Sequence, residues 1–413
     1  MNVTMIESDE PSPVAVVLSG GGARGAYEVG VLSELLPTLK AWGQSPSIFL
    51  GTSAGALNAV LFAAYADAAP ADAAAAIADI WRRTGRRQVF RPIVPSLALA
   101  GVRDLVGRLT GSAPLRSLLD TTPLLATLEN QQEVWRGLQR NLGSGTVEAV
   151  AVAATLYPEG RTVVFADGRR AAGLRDDPAR SIDYVHENIT AAHLRASAAI
   201  PVFFPPVFLS PAMRRGWFVD GGVRLNVPIK PAIALGADRV LVVGTEPVRN
   251  PEVPVGGRPA QKPAIQDSAA LMLKAVLNDP MVEDLLNLRM VNEILENAGR
   301  PPEGIRVGDK RYRTVRFRFV GPTVQRSLGV AAGDVLANRL AGLRPLLDPE
   351  LALLRALLGP RPSSDDLLSY LLFEPDFVDA AIQLGSDDAK NLLKAVLSAP
   401  APADMFWMTT SLP

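Results

Sequence analysis

The chain has 413 residues, 48 % apolar and 20 % charged, with 42 basic residues against 42 acidic ones. This is globular composition with apolar material for one large domain or two ordinary ones. The zero balance leaves no electrostatic footprint for nucleic acid, although a local basic patch facing a membrane stays compatible with it. Cysteine is absent and histidine occurs twice, which removes disulfides and thiolate chemistry and leaves too few ligands for a zinc site.

The opening "MNVTMIESDEPSP" is polar and acidic. It lacks the basic and apolar regions of a secretory leader, and no run of about 18 apolar residues suggests a membrane span. The expected location is the cytoplasm, with room for peripheral membrane contact. Val14 to Leu18 is a short apolar run, the pattern of a strand buried on both faces. The glycine-rich stretch Gly20-Gly21-Gly22-Ala23-Arg24-Gly25 follows, and Gly20, Gly22 and Gly25 fit G-x-G-x-x-G. Backbone N–H groups in such a turn suit a cofactor phosphate or an oxyanion that exists only during a reaction.

Ala26 to Lys40 has helical apolar spacing, with Val29, Leu32, Leu35, Leu36 and Leu39. Ser47 to Leu50 reads as a second strand and Ala54 to Ala66 as an alanine-rich helix suited to close packing on a sheet. The amphipathic segment Arg86 to Arg116 reads as an insertion packed on the core or as a lid. Further strands are expected over Val147 to Thr155, Arg161 to Ala166, Trp217 to Val219 and Arg239 to Gly244. Strands alternating with helices imply an α/β sheet covered on both faces. The chain therefore divides into a core over 12–249, a Pro/Gly linker over 250–262 and a mostly helical region over 263–413 that packs on the core. Within the last region "TVRFRFV" alternates like an edge strand, with Val315, Phe317 and Phe319 on one face.

Gly51, Ser53 and Gly55 form G-x-S-x-G between a strand and a helix. This is the nucleophile elbow, where a sharp turn lifts a serine hydroxyl out at the top of a sheet and glycines avoid the collision of strand and helix. A serine hydroxyl needs a base. His186 and His193 are the two histidines, and a histidine near a helix is ordinarily a surface or core residue. Asp220 is the better base, because it ends a strand and precedes Gly221 and Gly222, which let the backbone turn sharply beside the carboxylate. An unperturbed aspartate stays ionised across neutral pH, so the expected activity profile has no fall through pH 6–7.

The glycine-rich loop, the G-x-S-x-G turn, the block "ASAAIPVFFPPV" and Asp220-Gly221-Gly222 occur in this order. The chain resembles the patatin-like phospholipases, lipid acyl hydrolases with a serine–aspartate dyad, over roughly Val14 to Thr245. The resemblance implies a three-layer α/β/α fold with a mainly parallel sheet and a mostly helical C-terminal extension. It makes Ser53 the nucleophile and Asp220 the base. The N–H groups of Gly20, Gly21 and Gly22, with Ala23 a further candidate, become the oxyanion hole. Arg24 either holds the loop or meets a lipid headgroup phosphate. Asn226 receives no role, since Val227 separates it from the proline that follows directly in some members. The implied partner is a lipid substrate, presented at a membrane or micelle surface. No nucleic acid, cofactor or metal is implied, and the sequence carries no signal for an oligomeric state.

Two other functions compete. A dinucleotide-binding oxidoreductase needs an acidic residue about 20 positions past the glycines, and "SIFLGTS" offers none there. A non-catalytic lipid-binding or scaffold protein on the same fold has no need to keep both Ser53 and Asp220.

Overall fold

The computed structural model describes residues 13–92, 117, 119–210, 214–247, 265–299, 304–307, 310–323, 327–340 and 362–407. The linker expected at 250–262 lies outside these residues, as does most of the expected lid at 86–116. Of the latter, Arg86–Val89 forms one helical turn, and Arg91–Pro92 pairs antiparallel with Leu119–Asp120.

A nine-stranded sheet organises the chain. Its strands are β1 (Val14–Leu18), β2 (Ile48–Thr52), β3 (Ala149–Tyr157), β4 (Arg161–Asp167), β5 (Ile182–His186), β6 (Val207–Leu209), β7 (Gly216–Asp220), β8 (Arg239–Val243) and β9 (Arg316–Val320). The order is β9-β8-β1-β2-β3-β4-β5, with β7 paired to β3 and β6 paired to β7. The first five run parallel, while β3 pairs antiparallel with both β4 and β7. β5 and β6 lie outside the strands expected from the sequence; β6 has only three residues, too few for alternation to register.

The helices are α1 (Ala26–Ala41), α2 (Ala54–Ala64), α3 (Pro70–Arg83), α4 (Thr122–Glu129), α5 (Gln132–Ser144), α6 (Ala191–Ser197), α7 (Ile229–Ala234), α8 (Ile265–Asn297), α9 (Leu328–Arg339), α10 (Pro362–Ser369) and α11 (Pro375–Leu397). Successive residues of a strand point to opposite faces, and β1 shows how this builds three layers. Val14, Val16 and Leu18 join the core beneath α1, α2 and α11, while Ala15 and Val17 join the core beneath α7 and α8. β9 is the edge strand that its alternation predicts, with Val315, Phe317 and Phe319 buried in the second core.

Of the C-terminal helices, α9, α10 and α11 belong to the first layer. A side-chain carbon on Gly30 of α1 would run into the backbone of Ile382, and one on Gly385 of α11 into that of Tyr27. The two helices thus meet backbone to backbone, which small residues alone permit at such closeness.

Candidate active site

Register brings the two ends of the site together. On one side of β3, Thr52 of β2 pairs with Ala153, and Asp220 of β7 pairs with the next residue, Ala154. β2 runs parallel to β3 and β7 antiparallel to it, so the two strands meet end to end with their C-termini facing. Ser53 and Asp220 stand at that junction.

The turn at Ser53 is tight. The residue has φ 54° and ψ −123° and precedes α2 directly, a conformation that costs a non-glycine residue about 1–3 kcal/mol. A carbon on Gly51 would collide with the Gly55 backbone, and one on Gly55 with the carbonyls at the end of β1. Both glycines are therefore required by close approach. Ser53 N–H donates to Ser197 Oγ at 2.8 Å, and Ser197 Oγ donates to the Ala153 carbonyl at 2.6 Å. Ser197, from α6, thus ties the strained turn to β3. Its sequence signal lay in "ASAAIP", where one serine among alanines gives no hint of a role.

Asp220 is equally well held. Its N–H donates to the Ala199 carbonyl at 2.8 Å, and its carbonyl accepts from Thr155 Oγ1 at 3.0 Å. A carbon on Gly221 would strike the Ala153 backbone, so the glycine lets the turn close. Asp220 Oδ1 accepts from Gly222 N–H at 2.7 Å. Oδ2 is buried and has no hydrogen bond of standard geometry among the described residues. Burial pushes the carboxyl from the ordinary 3.8 up to about 6, and hydrogen bonding from Ser53 and Gly222 offsets part of that rise. The expectation of an unperturbed aspartate is corrected here: a carboxylate 4 % exposed has lost the water that would keep it acidic.

The glycine-rich loop lies against the serine. A carbon on Gly20 would come 3.2 Å from Ser53 Cβ, and Gly22, at φ 56°, lines the same cavity as Ser53. The amides of the loop divide into two kinds. Gly20 N–H donates to Asn226 Oδ1 at 3.0 Å, and Ala23 N–H to the Tyr370 carbonyl at 2.9 Å. Those of Gly21 and Gly22 donate to no partner among the described residues. Asn226, given no role from the sequence, binds the loop through a side chain brought there by the turn after Asp220.

Arg24 is 1 % exposed. Its Nε donates to Ser369 Oγ at 2.6 Å and its Nη2 to Asp366 Oδ1 at 2.6 Å, while Nη1 pairs with Glu246. So enclosed, it is out of reach of a headgroup, and of the two roles read from the sequence it is placed for holding the loop.

Neither histidine lies at the junction. His193 caps α6, with Nδ1 accepting from Thr190 N–H at 3.1 Å, and burial lowers its pKa to about 4. His186 ends β5 at the far edge of the sheet.

A cavity of about 890 Å³, counting the space open to solvent, starts at Ser53 and Gly22. It follows α2 past Leu57 to Leu61, and its wall is apolar, with Trp81, Leu128, Val134, Leu194 and Phe373. The seven residue steps of helix from Ala54 to Leu61 span roughly 10 Å. Among the described residues no cluster of three or more histidine, cysteine, aspartate or glutamate side chains could hold a metal ion, and no helix is long and apolar enough to cross a membrane.

Comparison with known proteins matches residues 16–233 to the family model of the patatin-like phospholipases. A curated relative, the uncharacterized protein YjjU of Escherichia coli K12, is 27 % identical over 238 residues, covering 58 % of this chain and 53 % of YjjU. The match thus spans about half the length of that relative. Among solved structures, VipD from Legionella pneumophila aligns over 92 % of this chain and 67 % of its own, at 13 % identity and TM-score 0.31. The type III effector protein ExoU aligns over 96 % and 81 %, at 15 % identity and TM-score 0.28. With a family model that covers more than half of its residues and a mainly parallel sheet carrying the elbow serine, this chain belongs to the patatin-like phospholipase family.

Proposed function

We propose that the protein is a lipid acyl hydrolase that cleaves carboxylic esters through Ser53 and Asp220. The observation that carries this reading is the end-to-end meeting of β2 and β7, which puts the strained serine beside a buried carboxylate. Asp220 accepts the Ser53 proton as the serine oxygen attacks the ester carbonyl carbon. The tetrahedral oxyanion is held by the N–H groups of Gly21 and Gly22, aided by the N-terminal end of α2. Asp220 returns the proton to the departing alcohol, and water then hydrolyses the acyl-enzyme by the same route. Each oxyanion donor is worth about 3–4 kcal/mol and the general base roughly 10²–10⁴-fold. The apolar cavity takes the acyl chain, which makes long-chain lipids, phospholipids among them, the substrate class.

A fluorophosphonate should label Ser53 alone, since it reacts with an activated serine and leaves a tetrahedral adduct. Mass spectrometry of a mixed lipid extract should show released fatty acids with wild type and none with Ser53→Ala. Labelling at another serine, or equal release by the folded variant, defeats the proposal.

A further inference from the structure

The support of the glycine-rich loop comes largely from outside the stretch that matches the family model. That stretch ends at residue 233, yet Arg24 reaches Glu246, just past β8, and Asp366 and Ser369 of α10. Its Nη2 also donates to the Asp366 carbonyl at 2.6 Å. The guanidinium lies 4.0 Å from the centre of the Tyr370 ring, and Tyr370 Oη donates to Glu246 Oε1 at 2.8 Å. The Tyr370 carbonyl takes the Ala23 N–H, and a side-chain carbon on Gly22 would strike that same carbonyl. Arg24, Glu246, Ser369 and Tyr370 are all buried.

The contacts flank the two unengaged amides on their C-terminal side. Gly21 and Gly22 precede Ala23 and Arg24, both fastened to the end of α10. On the other side Gly20 is fastened to Asn226 and Thr245, with Thr245 Oγ1 donating to the Gly20 carbonyl at 3.1 Å. A peptide plane fixed at both ends keeps its N–H direction, and donor direction sets how well an oxyanion is stabilised. A guanidinium suits this work because its rigid fork bonds three separate partners at once, which an ammonium on a flexible stem cannot do. Tyr370 and Phe373 also line the cavity, so the segment that fastens the loop is itself a wall of the acyl site.

We infer that the end of α10 completes the catalytic centre, with Arg24, Glu246, Asp366, Ser369 and Tyr370 as positioning residues for the amides of Gly21 and Gly22. The inference rests on the hydrolase reading above, and two independent readouts separate the two. The first is turnover of p-nitrophenyl butyrate by the full chain. The second is hydrogen exchange of the Gly20–Gly25 segment, which needs no chemistry.

Arg24→Lys keeps the charge and loses the fork. Its kcat should fall roughly 10–100-fold, the loss that follows a misplacement of about 1 Å, with KM within about twofold of wild type. Exchange in the loop should rise in the same variant. Ser369→Ala removes one bond of the set, and should show the same two changes in smaller measure; it serves alone if Arg24→Lys does not fold. A folded variant with wild-type loop exchange overturns the inference. So does a kcat that falls only in proportion to the unfolded fraction. If wild type does not turn over the ester, the hydrolase proposal fails, and loop exchange still decides whether α10 holds the amides.

Discussion

Asp220 concentrates two opposed demands in one side chain. Buried, it holds its proton up to about pH 6, a value close to working pH and so suited to a general base. In the proposed mechanism the ionised form acts as the base. Activity should therefore rise through about pH 6 to a plateau and fall below it, a limb that resembles a histidine's but belongs to a carboxylate. Replacing both His186 and His193 should leave this limb in place; its disappearance would assign it to a histidine. The same shift has a cost in stability. Asp220 binds its proton more tightly folded than unfolded, so stability falls as pH rises from 3.8 through about 6. At about 1.4 kcal/mol per unit, the ionised carboxylate costs on the order of 3 kcal/mol above pH 7. Asp220→Asn can keep the bond from Gly222 N–H and sheds the charge. It should lower turnover roughly 10²–10⁴-fold and raise the melting temperature at pH 8, with the gain shrinking towards pH 4. A melting temperature lower than wild type at pH 8 would contradict this account.

At the scale of elements, α2 does two tasks. Its N-terminal end meets Ser53, and its flank forms the floor of the cavity as far as Leu61. Leu61 stands at the end of that flank away from the serine. Leu61→Trp should fill that end without crowding the serine, since roughly two helical turns separate them. Turnover of p-nitrophenyl palmitate should drop about tenfold or more, while the butyrate stays within about twofold, because a pocket discriminates by about 1–3 kcal/mol per missing methylene. Equal losses on both esters would show that the chain does not enter along α2. The junction of β2 and β7 tolerates less change. Gly55→Ala places a carbon against the carbonyls of Leu18 and Ser19, so this substitution should lower expression of folded protein rather than tune activity.

At the scale of the molecule, the C-terminal helices are part of the core that carries the site. Leu368, Phe377, Val378, Leu384 and Phe406 are buried in the same cluster as α1 and α2. Each such side chain contributes roughly 1.5–3 kcal/mol when buried, and a whole domain is stable by only about 5–15 kcal/mol. A chain shortened to end before α10 should therefore show no cooperative thermal transition, as read by circular dichroism. A sharp transition in that shortened chain would mark 362–407 as a separable unit.

The sequence by itself determined the elements whose signal is local. Apolar runs mark β1 and β8, helical spacing marks α1, and the alternation of "RFRFV" marks β9. The glycine loop, the elbow at Ser53 and the Asp220-Gly221-Gly222 turn are legible because each needs particular residue types at fixed short spacing. Tertiary structure alone decided what depends on residues far apart in the chain. Ser53 and Asp220 meet because β2 and β7 share one edge of β3, a pairing across more than 160 residues that no local pattern encodes. The Asp220 pKa depends on the solvent that packing removes. Asn226 and Ser197 hold the loop and the elbow through side chains whose partners are set by the fold. Arg24 could be read as a headgroup contact until its partners on α10, more than 340 residues away, enclosed it. Local stereochemistry constrains neighbours along the chain, whereas burial and long-range hydrogen bonds exist only once the chain has closed on itself.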